Sequence, residues 1–289
     1  MMAFIKGWQY TRSIPWLSLF SVRQFSTGGT DFISLSRDKD IAGLAIATLQ
    51  KKPVNTFCQQ HLQELDRIIT DVEKDESIRA LIITSAFPGV FSAGFDLNSF
   101  YKKEPWEICE FWRCFQDSFL RLYTSRLITV AAVNGHSPAF GCAIALGCDY
   151  RIMAAGSYKI GLTVVHLGMQ PPFGLRELLG NTIGKREAEK AVQLGTLYES
   201  DEAYKIGLVD EVVPMDDMLP ASKQQVTKWL SIPDHARVSV KKAMRGELVK
   251  KVAPIRDEEM KMAASMLTQP NVQELLGKAL ARLKKKASV

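Results

Sequence analysis

The chain has 289 residues, of which 46% are hydrophobic and 24% are charged, and its formal net charge is +6. These values are near globular averages, and the length suffices for one large domain or two small ones with a sizeable core. Part of the positive charge lies in the N-terminal arm and in a C-terminal lysine run, so it gives no indication of a nucleic-acid partner, and we expect none.

Cysteine and histidine usage excludes two further classes of protein. The five cysteines contain no CxxC pair and are odd in number, which argues against a disulfide framework and fits a reducing compartment. The four histidines lack metal-ligand spacing such as HExxH, so we expect no metal. No apolar run after the N-terminal arm reaches the length of a membrane span.

The first 28 residues resemble a targeting segment. The first thirty residues contain no Asp or Glu, but they contain Lys6, Arg12 and Arg23, several Ser and Thr, and bulky apolar residues. This composition is typical of a mitochondrial transit peptide, and it predicts import into the mitochondrial matrix. A disordered tail or a short secretory signal is the alternative interpretation.

Strands and helices are expected to alternate in the first two thirds of the chain. In chain order the patterns predict two short strands within residues 33–47, a helix over 62–72, a strand over 80–84, a strand over 127–133, a small-residue helix over 141–146, strands over 150–154 and 159–162, helices over 187–194 and 203–207, and a strand over 209–213. From Met218 onward the apolar spacing is only helical. The pattern indicates an α/β fold with a helical C-terminal region.

Two glycine-bearing segments suggest a site for a negatively charged oxygen. They are residues 89–97 and 133–142, and each follows an apolar strand and leads towards a helix. Such turns expose backbone N–H groups, and two turns side by side could direct two N–H groups at one oxygen, as an enolate or a tetrahedral oxyanion requires. Ordinary connections between strands and helices are the alternative.

These segments carry a family resemblance. Phe91-Ser-Ala-Gly-Phe-Asp-Leu97 resembles the first oxyanion-hole motif of the crotonase (enoyl-CoA hydratase/isomerase) superfamily, and residues 132–142 with 148–152 resemble the second. Further segments are similar to the mitochondrial Δ3,Δ2-enoyl-CoA isomerase branch, and the likeness runs from about Phe32 to Leu283. These further segments are residues 181–184, 191–195, 207–214 and 232–237.

The resemblance implies an architecture and a substrate. The expected fold is a crotonase-like spiral of ββα turns over residues 29–213, followed by a helical trimerisation region over residues 214–289. The expected ligand is an acyl-CoA thioester and the expected assembly is a homotrimer. No separate cofactor is expected, because CoA is part of the substrate. Lys102, Lys103 and the run 284–286 are candidates for contacting its phosphates, although a solvated basic face is the alternative for each.

The resemblance also implies site residues. The N–H groups of Ala93 and Phe140 would bind the thioester carbonyl, and Thr163 would line the pocket. Four more residues would line the CoA-thioester pocket: Gly94, Phe95, Asp96 and Leu97. Asp96 could instead serve only as a turn and N-cap residue.

The sequence departs from the family at the catalytic base. In the isomerase branch a Glu removes a proton from C2 of a 3-enoyl-CoA and returns it to C4, and Val164 occupies that position here. The second carboxylate of the hydratases is also absent, because Ala143 takes its place, and this disfavours hydration. Phe140 stands where the family usually has Gly, so the N–H remains but a benzyl group is added.

Other groups could supply the missing base. If residues 164–166 are extended, His166 points to the same side as Val164 and could accept the proton. His136 and the acids Glu104, Glu107 and Glu110 are weaker candidates, with a packed histidine and a solvated helix face as the alternatives. The sequence therefore leaves two functions open, a Δ3,Δ2-enoyl-CoA isomerase of β-oxidation and a catalytically silent acyl-CoA-binding homologue, while thioester hydrolysis has no specific support.

Overall fold

The strands form two sheets in the computed structural model, which describes residues 32–287. The predicted targeting segment, residues 1–28, lies outside the described residues. The strands pair into one sheet of six and one sheet of four, and those of each sheet are named here in their spatial order. The six strands of the larger sheet are β1 (Ile33–Arg37), β2 (Leu44–Leu49), β3 (Ala80–Ser85), β5 (Ile128–Val133), β7 (Tyr150–Ala154) and β10 (Glu211–Val213). The smaller sheet contains β4 (Gly89–Val90), β6 (Gly135–Pro138), β8 (Lys159–Gly161) and β9 (Tyr198–Glu199).

Three times in succession, a strand of the larger sheet is followed by a strand of the smaller sheet and then by a helix. A helix follows β3 and β4, a second follows β5 and β6, and a third follows β7 and β8, and the strands from β2 to β10 in the larger sheet are parallel. The six helices up to the last strand are α1 (Gln59–Lys74), α2 (Pro105–Thr124), α3 (Phe140–Gly147), α4 (Phe173–Ile183), α5 (Lys185–Leu194) and α6 (Ser200–Lys205). The predicted α/β fold built from ββα turns is therefore confirmed.

Only helices follow β10 in the described part of the chain. They are α7 (Met218–Leu230), α8 (Asp234–Val252), α9 (Arg256–Leu267) and α10 (Pro270–Ala287). Over residues 32–287, every helix is too short or too polar to cross a lipid bilayer.

The larger sheet is apolar on both faces, as parallel strands covered on both sides require. On β3, Leu81 and Ile83 belong to the main core beneath α1 and α2, whereas Ala80 and Ile82 face a second cluster that includes Val226 of α7. Consecutive residues point to opposite faces of a strand, so the unbroken apolar run that predicted β3 supplies both cores.

In the described part of the chain the longest helix is α2, and it was not predicted. It begins with a capping box, in which the Glu104 side chain accepts from the backbone N–H of Glu107 and the Glu107 side chain accepts from the N–H of Glu104. Its buried residues recur at helical spacing along one face, among them Ile108, Phe111 and Phe115. The signal was present in the sequence, and α2 now forms one wall above the two glycine-bearing segments.

A buried carboxylate joins the C-terminal helices to the sheet. Asp149 follows α3, and its side chain accepts from Lys241 Nζ at 2.8 Å, from Arg245 Nη2 at 2.7 Å and from Thr129 N at 2.9 Å. Burial lowers the pKa of Lys241 to about 8, an effect that Asp149 partly offsets. Arg245 also donates to the carbonyl oxygens of Gly147 and Cys148, so it caps the C-terminal end of α3. The position of α3 therefore depends on α8.

Replacing Asp149 with Ala leaves Lys241 and Arg245 without their carboxylate in a buried place. We expect Asp149→Ala to lower the free energy of unfolding by about 3–5 kcal/mol, as removal of one partner of a buried ion pair does. Urea unfolding at a fixed protein concentration measures this loss. The control is Glu247→Ala on the exposed face of α8, where Glu247 pairs with Lys250 and the change should stay within about 0.5 kcal/mol. Equal losses of unfolding free energy in the two variants would show that the contacts of Asp149 with Lys241 and Arg245 do not stabilise the fold.

Candidate functional site

Three loops leave the smaller sheet at the same edge. The strands β4 and β6 pair in parallel through Gly89 with Gly135, and β6 and β8 pair in parallel through Pro138 with Gly161. The carboxyl ends of parallel strands meet at one edge, so the segments after them become neighbours. These segments are residues 91–97, 139–141 and 162–168, and they contain the predicted site residues 93–97, Phe140, Thr163, Val164 and His166.

The first two loops touch through their backbones. A Cβ atom placed on Gly94 would lie 3.0 Å from the Ala139 Cβ and 3.4 Å from the Phe140 nitrogen, and Gly94 has a φ of +92°. A Cβ on Gly141 would lie 2.8 Å from the Ser92 carbonyl oxygen. Glycine is therefore required at both positions, at Gly94 for the backbone angle and at Gly141 for the space.

The first loop offers a different N–H group from the one predicted. The Ala93 N–H donates to the Val54 carbonyl oxygen at 3.0 Å, so it is already bonded. Phe57 pairs with this loop by donating to the Gly94 oxygen and accepting from the Asp96 N–H, both at 2.9 Å. Because successive N–H groups of an extended segment alternate in direction, the Phe95 N–H points away from Phe57, and residues 32–287 offer it no acceptor. The candidate donor of the first loop is Phe95 rather than Ala93.

The candidate donor of the second loop is Phe140, the residue that the sequence predicted. Phe140 is the first residue of α3, whose N-cap residue, Ala139, supplies no side-chain hydrogen bond. The Ala139 N–H itself donates to the Gly161 oxygen at 2.8 Å, which ties the second loop to the third. No acceptor for the Phe140 N–H occurs among the residues that the structure describes, as expected in the first turn of a helix. Phe95 and Phe140 thus present two unpaired N–H groups on contacting loops.

Aromatic side chains pack around the two residues that carry these N–H groups. The Phe95 and Phe140 rings stack with their centroids 4.6 Å apart and their planes at 23°. The Phe140 ring also meets Phe57 and Phe115 edge-on, at 5.0 Å and 5.6 Å. The hydrogen bonds that Phe95 and Phe140 make to a bound oxygen would therefore act in a place of low polarity, where they are stronger than in water.

The family model described as enoyl-CoA hydratase/isomerase matches residues 39–286 of this chain. The chain belongs to the enoyl-CoA hydratase/isomerase family. A relative from Mus musculus named "Enoyl-CoA delta isomerase 1, mitochondrial" is 44% identical over 85% of this chain and 85% of the relative. The protein of that name from Homo sapiens is 41% identical over 84% and 81% of the two chains. The crystal structure of human mitochondrial delta3-delta2-enoyl-CoA isomerase is similar with a TM-score of 0.86 and 39% identity, and covers 88% of this chain and 99% of that chain.

The third loop of this family member brings no acid to the site. Val164 begins a 3₁₀ turn, Val164–Leu167, and its partly buried side chain packs against the main core. Thr163 immediately precedes the turn and is also partly buried, and its side chain makes no capping hydrogen bond. The loop that in the isomerase branch is expected to carry the base therefore presents a methyl-bearing side chain at that position.

The structure lacks the extended segment on which the hypothesis of His166 as a substitute base depends. The segment is a 3₁₀ turn, in which residues two apart point about 120° away from each other. His166 is exposed and its Nε2 lies 3.2 Å from the Gly195 carbonyl oxygen. A Cβ on Gly195 would lie 2.6 Å from the same Nε2, so the histidine packs against α5 and its following turn.

Three of the four weaker candidates for the base are engaged in structural contacts. The His136 Nδ1 accepts from the Lys159 N–H at 3.1 Å, which places the ring hydrogen on Nε2, and burial lowers the pKa of His136. Glu104 and Glu107 form the capping box of α2, while Glu110 is exposed on that helix. The Asp96 side chain accepts from the Asn98 N–H, as an N-cap residue does.

The remaining predicted residues lie at the rim of the first loop. Leu97 begins a 3₁₀ turn and packs on the core, Lys103 pairs with Glu107, and the Lys102 N–H donates to Gln273 of α10. Among the described residues, no cluster of three His, Cys, Asp or Glu side chains could hold a metal ion. The residue that the sequence analysis missed as a donor, Phe95, carried no distinguishing signal, since neighbouring N–H groups look alike in a sequence.

The contact between Gly141 and Ser92 gives a test of loop packing. We expect Gly141→Ala to lower the free energy of unfolding by about 1–3 kcal/mol, because the added methyl group overlaps backbone that cannot move without separating the two loops. The matched control is Gly246→Ala in α8, where a Cβ would meet nothing within 4 Å. Removing a glycine from a helix interior should stabilise the protein by about 0.4–1 kcal/mol. Denaturant unfolding of both variants decides the matter, and a neutral Gly141→Ala would show that the loops are loosely packed.

Proposed function

We propose that this chain is an enoyl-CoA isomerase-like protein of mitochondrial fatty acid β-oxidation, which moves the double bond of a 3-enoyl-CoA to the 2-trans position. The observation that carries the proposal is the pair of unpaired N–H groups of Phe95 and Phe140 on contacting loops. The relatives named enoyl-CoA delta isomerase support the substrate class and the reaction. CoA is part of the substrate, so the proposed reaction uses no separate cofactor.

The two N–H groups act on the thioester carbonyl. Both donate to its oxygen, and the negative charge that develops there when a proton leaves C2 strengthens both hydrogen bonds. Because the groups are held by the backbone of adjoining loops, no reorganisation is needed as the charge forms. This arrangement lowers the barrier to forming the dienolate, whichever group accepts the proton.

The proton acceptor sets the rate of the proposed reaction. Val164 has no group that can accept a proton, and loss of a general base reduces a rate on the order of 10²–10⁴-fold. We therefore expect slow turnover, with water or buffer in contact with C2 and C4 taking over the proton transfer. Affinity for the thioester depends on the N–H groups and on apolar contacts, so it is expected to survive.

The second candidate function is a catalytically silent acyl-CoA-binding homologue. Val164 favours it, because an apolar side chain at the base position excludes water as well as lacking a proton acceptor. The stacked rings of Phe95 and Phe140 also favour it, because they occupy space beside the two donors. The two candidates share a ligand and differ only in turnover.

The proposed assembly is a homotrimer formed through the C-terminal helices. Large apolar side chains are exposed on α8 and α9, notably Val240 at 62%, Met244 at 77% and Met262 at 52%. Apolar side chains exposed to this degree on one region are typical of a surface that another chain covers. The proposed location is the mitochondrial matrix, supported by the composition of residues 1–28 and by the word mitochondrial in the names of the relatives.

Restoring a carboxylate at residue 164 tests the proposed function. We expect Val164→Glu to raise the isomerisation rate by on the order of 10²–10⁴-fold over the unmodified protein, because the rest of the machinery is in place. The measurement is the absorbance of the 2-enoyl thioester formed from 3-hexenoyl-CoA and 3-dodecenoyl-CoA.

The control places the same charge one residue further along. Val165 lies against Gly195, with its Cγ1 2.9 Å from where a glycine Cβ would be, so Val165→Glu directs the carboxylate away from the two donors. No gain with Val165→Glu is expected. If the unmodified protein binds the thioesters but shows no turnover, the silent homologue is the correct function, and if it binds neither thioester, both candidates fail.

A further inference from the structure

The rings that stack beside the two donors belong to a larger aromatic cluster. Phe95 also meets Phe111 and Phe115 edge-on, with centroids 5.0 Å and 5.4 Å away. Phe140 is 3% exposed, and rings from three separate segments of the chain enclose it: Phe57, Phe95 and Phe115. A ring enclosed in this way cannot move aside without separating α2 from the loops beneath it.

The donors determine where an acyl chain must run. Phe95 and Phe140 each carry a donor N–H and a ring on the same residue. The stacked rings therefore lie close to the carbonyl that the two N–H groups bind. The two substituents of a thioester carbonyl leave it in different directions, and the CoA branch must run to solvent because it is large and anionic. The acyl branch therefore runs inward, towards α2 and the aromatic cluster.

A cavity lies beyond the cluster along the same helix. It is bounded by α2, α4, α8 and α9, and its wall includes Phe115, Phe119, Leu175, Leu248 and Val252. Phe115 faces both this cavity and the Phe140 ring. Phe115 thus lies between the Phe140 ring and this small cavity, and the aromatic cluster fills the space between the two donors and α2.

We propose that the Phe95–Phe140 stack is a steric stop that sets the acyl-chain length, so that short acyl-CoA thioesters bind and long ones are excluded. The inference rests on the proposed function, because it assumes that the two N–H groups bind a thioester carbonyl. The residue that determines specificity is Phe140, since its side chain fills space that a smaller residue would leave open between the donors and Phe115. The natural ligand is then a short-chain enoyl-CoA or acyl-CoA.

Removing the Phe140 ring tests the stop. The Kd values of butanoyl-CoA and dodecanoyl-CoA, neither of which can isomerise, are measured by titration calorimetry for the unmodified protein, Phe140→Ala and Phe140→Leu. We expect the unmodified protein to prefer butanoyl-CoA. Phe140→Ala should shift the ratio of the two Kd values towards dodecanoyl-CoA by at least about 10-fold, since each newly buried methylene contributes roughly 4-fold in affinity. Phe140→Leu keeps an apolar side chain, so it serves as the second variant if Phe140→Ala does not fold. It should shift the ratio of the two Kd values by an intermediate amount.

The control removes a buried side chain from the other core. Ile128 lies on the opposite face of the larger sheet, so Ile128→Ala should destabilise the protein without changing the ratio of the two Kd values. An unchanged ratio in both Phe140 variants, or a preference of the unmodified protein for dodecanoyl-CoA, would overturn the steric stop while leaving acyl-CoA binding intact. Failure of every variant to bind either thioester would instead refute the proposed function and with it the stop.

Discussion

The contact between two backbone loops is the constraint on which the candidate site depends. Gly94 lies against Ala139 and Phe140, and Gly141 lies against Ser92, in each case where a side chain would meet backbone or Cβ atoms. This contact brings the N–H groups of Phe95 and Phe140 to the same edge of the smaller sheet. The parallel pairing of β4 with β6 determines which loops meet, and Asp149 with Arg245 holds the other end of α3. The donors are thus positioned by the fold rather than by flexible side chains.

Under the proposed function, the site combines two backbone donors with an apolar side chain, Val164, at the expected position of the base. Backbone donors tolerate substitution, because any residue except proline supplies an N–H, so Phe140 can replace the glycine that the resemblance implies without loss of this N–H. A base has no such tolerance, because its chemistry belongs to the side chain, and Val164 has none. Under the proposed function, binding of the thioester and stabilisation of the charge on its oxygen therefore persist even though proton transfer is slow.

The aromatic cluster connects stability with ligand choice. Phe57, Phe95, Phe111, Phe115 and Phe140 come from four separate segments of the chain, and they bury a large apolar area where the loops meet α2. Enclosed aromatic pairs contribute about 0.5–1.5 kcal/mol each beyond their buried area. The same rings occupy the space beside the donors, so packing that strengthens the core also reduces the room for a ligand.

The sequence by itself determined the α/β class, most of the strands and helices and the absence of a carboxylate at Val164, and it predicted Phe140 as a donor. These features follow from local apolar spacing and from motifs that are contiguous in the chain. Only the tertiary structure decided that the Ala93 N–H donates to the Val54 carbonyl oxygen, which leaves Phe95 as the candidate donor of the first loop. It also decided that the His166 ring lies against Gly195. The physical reason is that a hydrogen-bond partner from a distant segment, and the 3₁₀ geometry that a loop adopts between two packed elements, leave no periodic trace in the sequence.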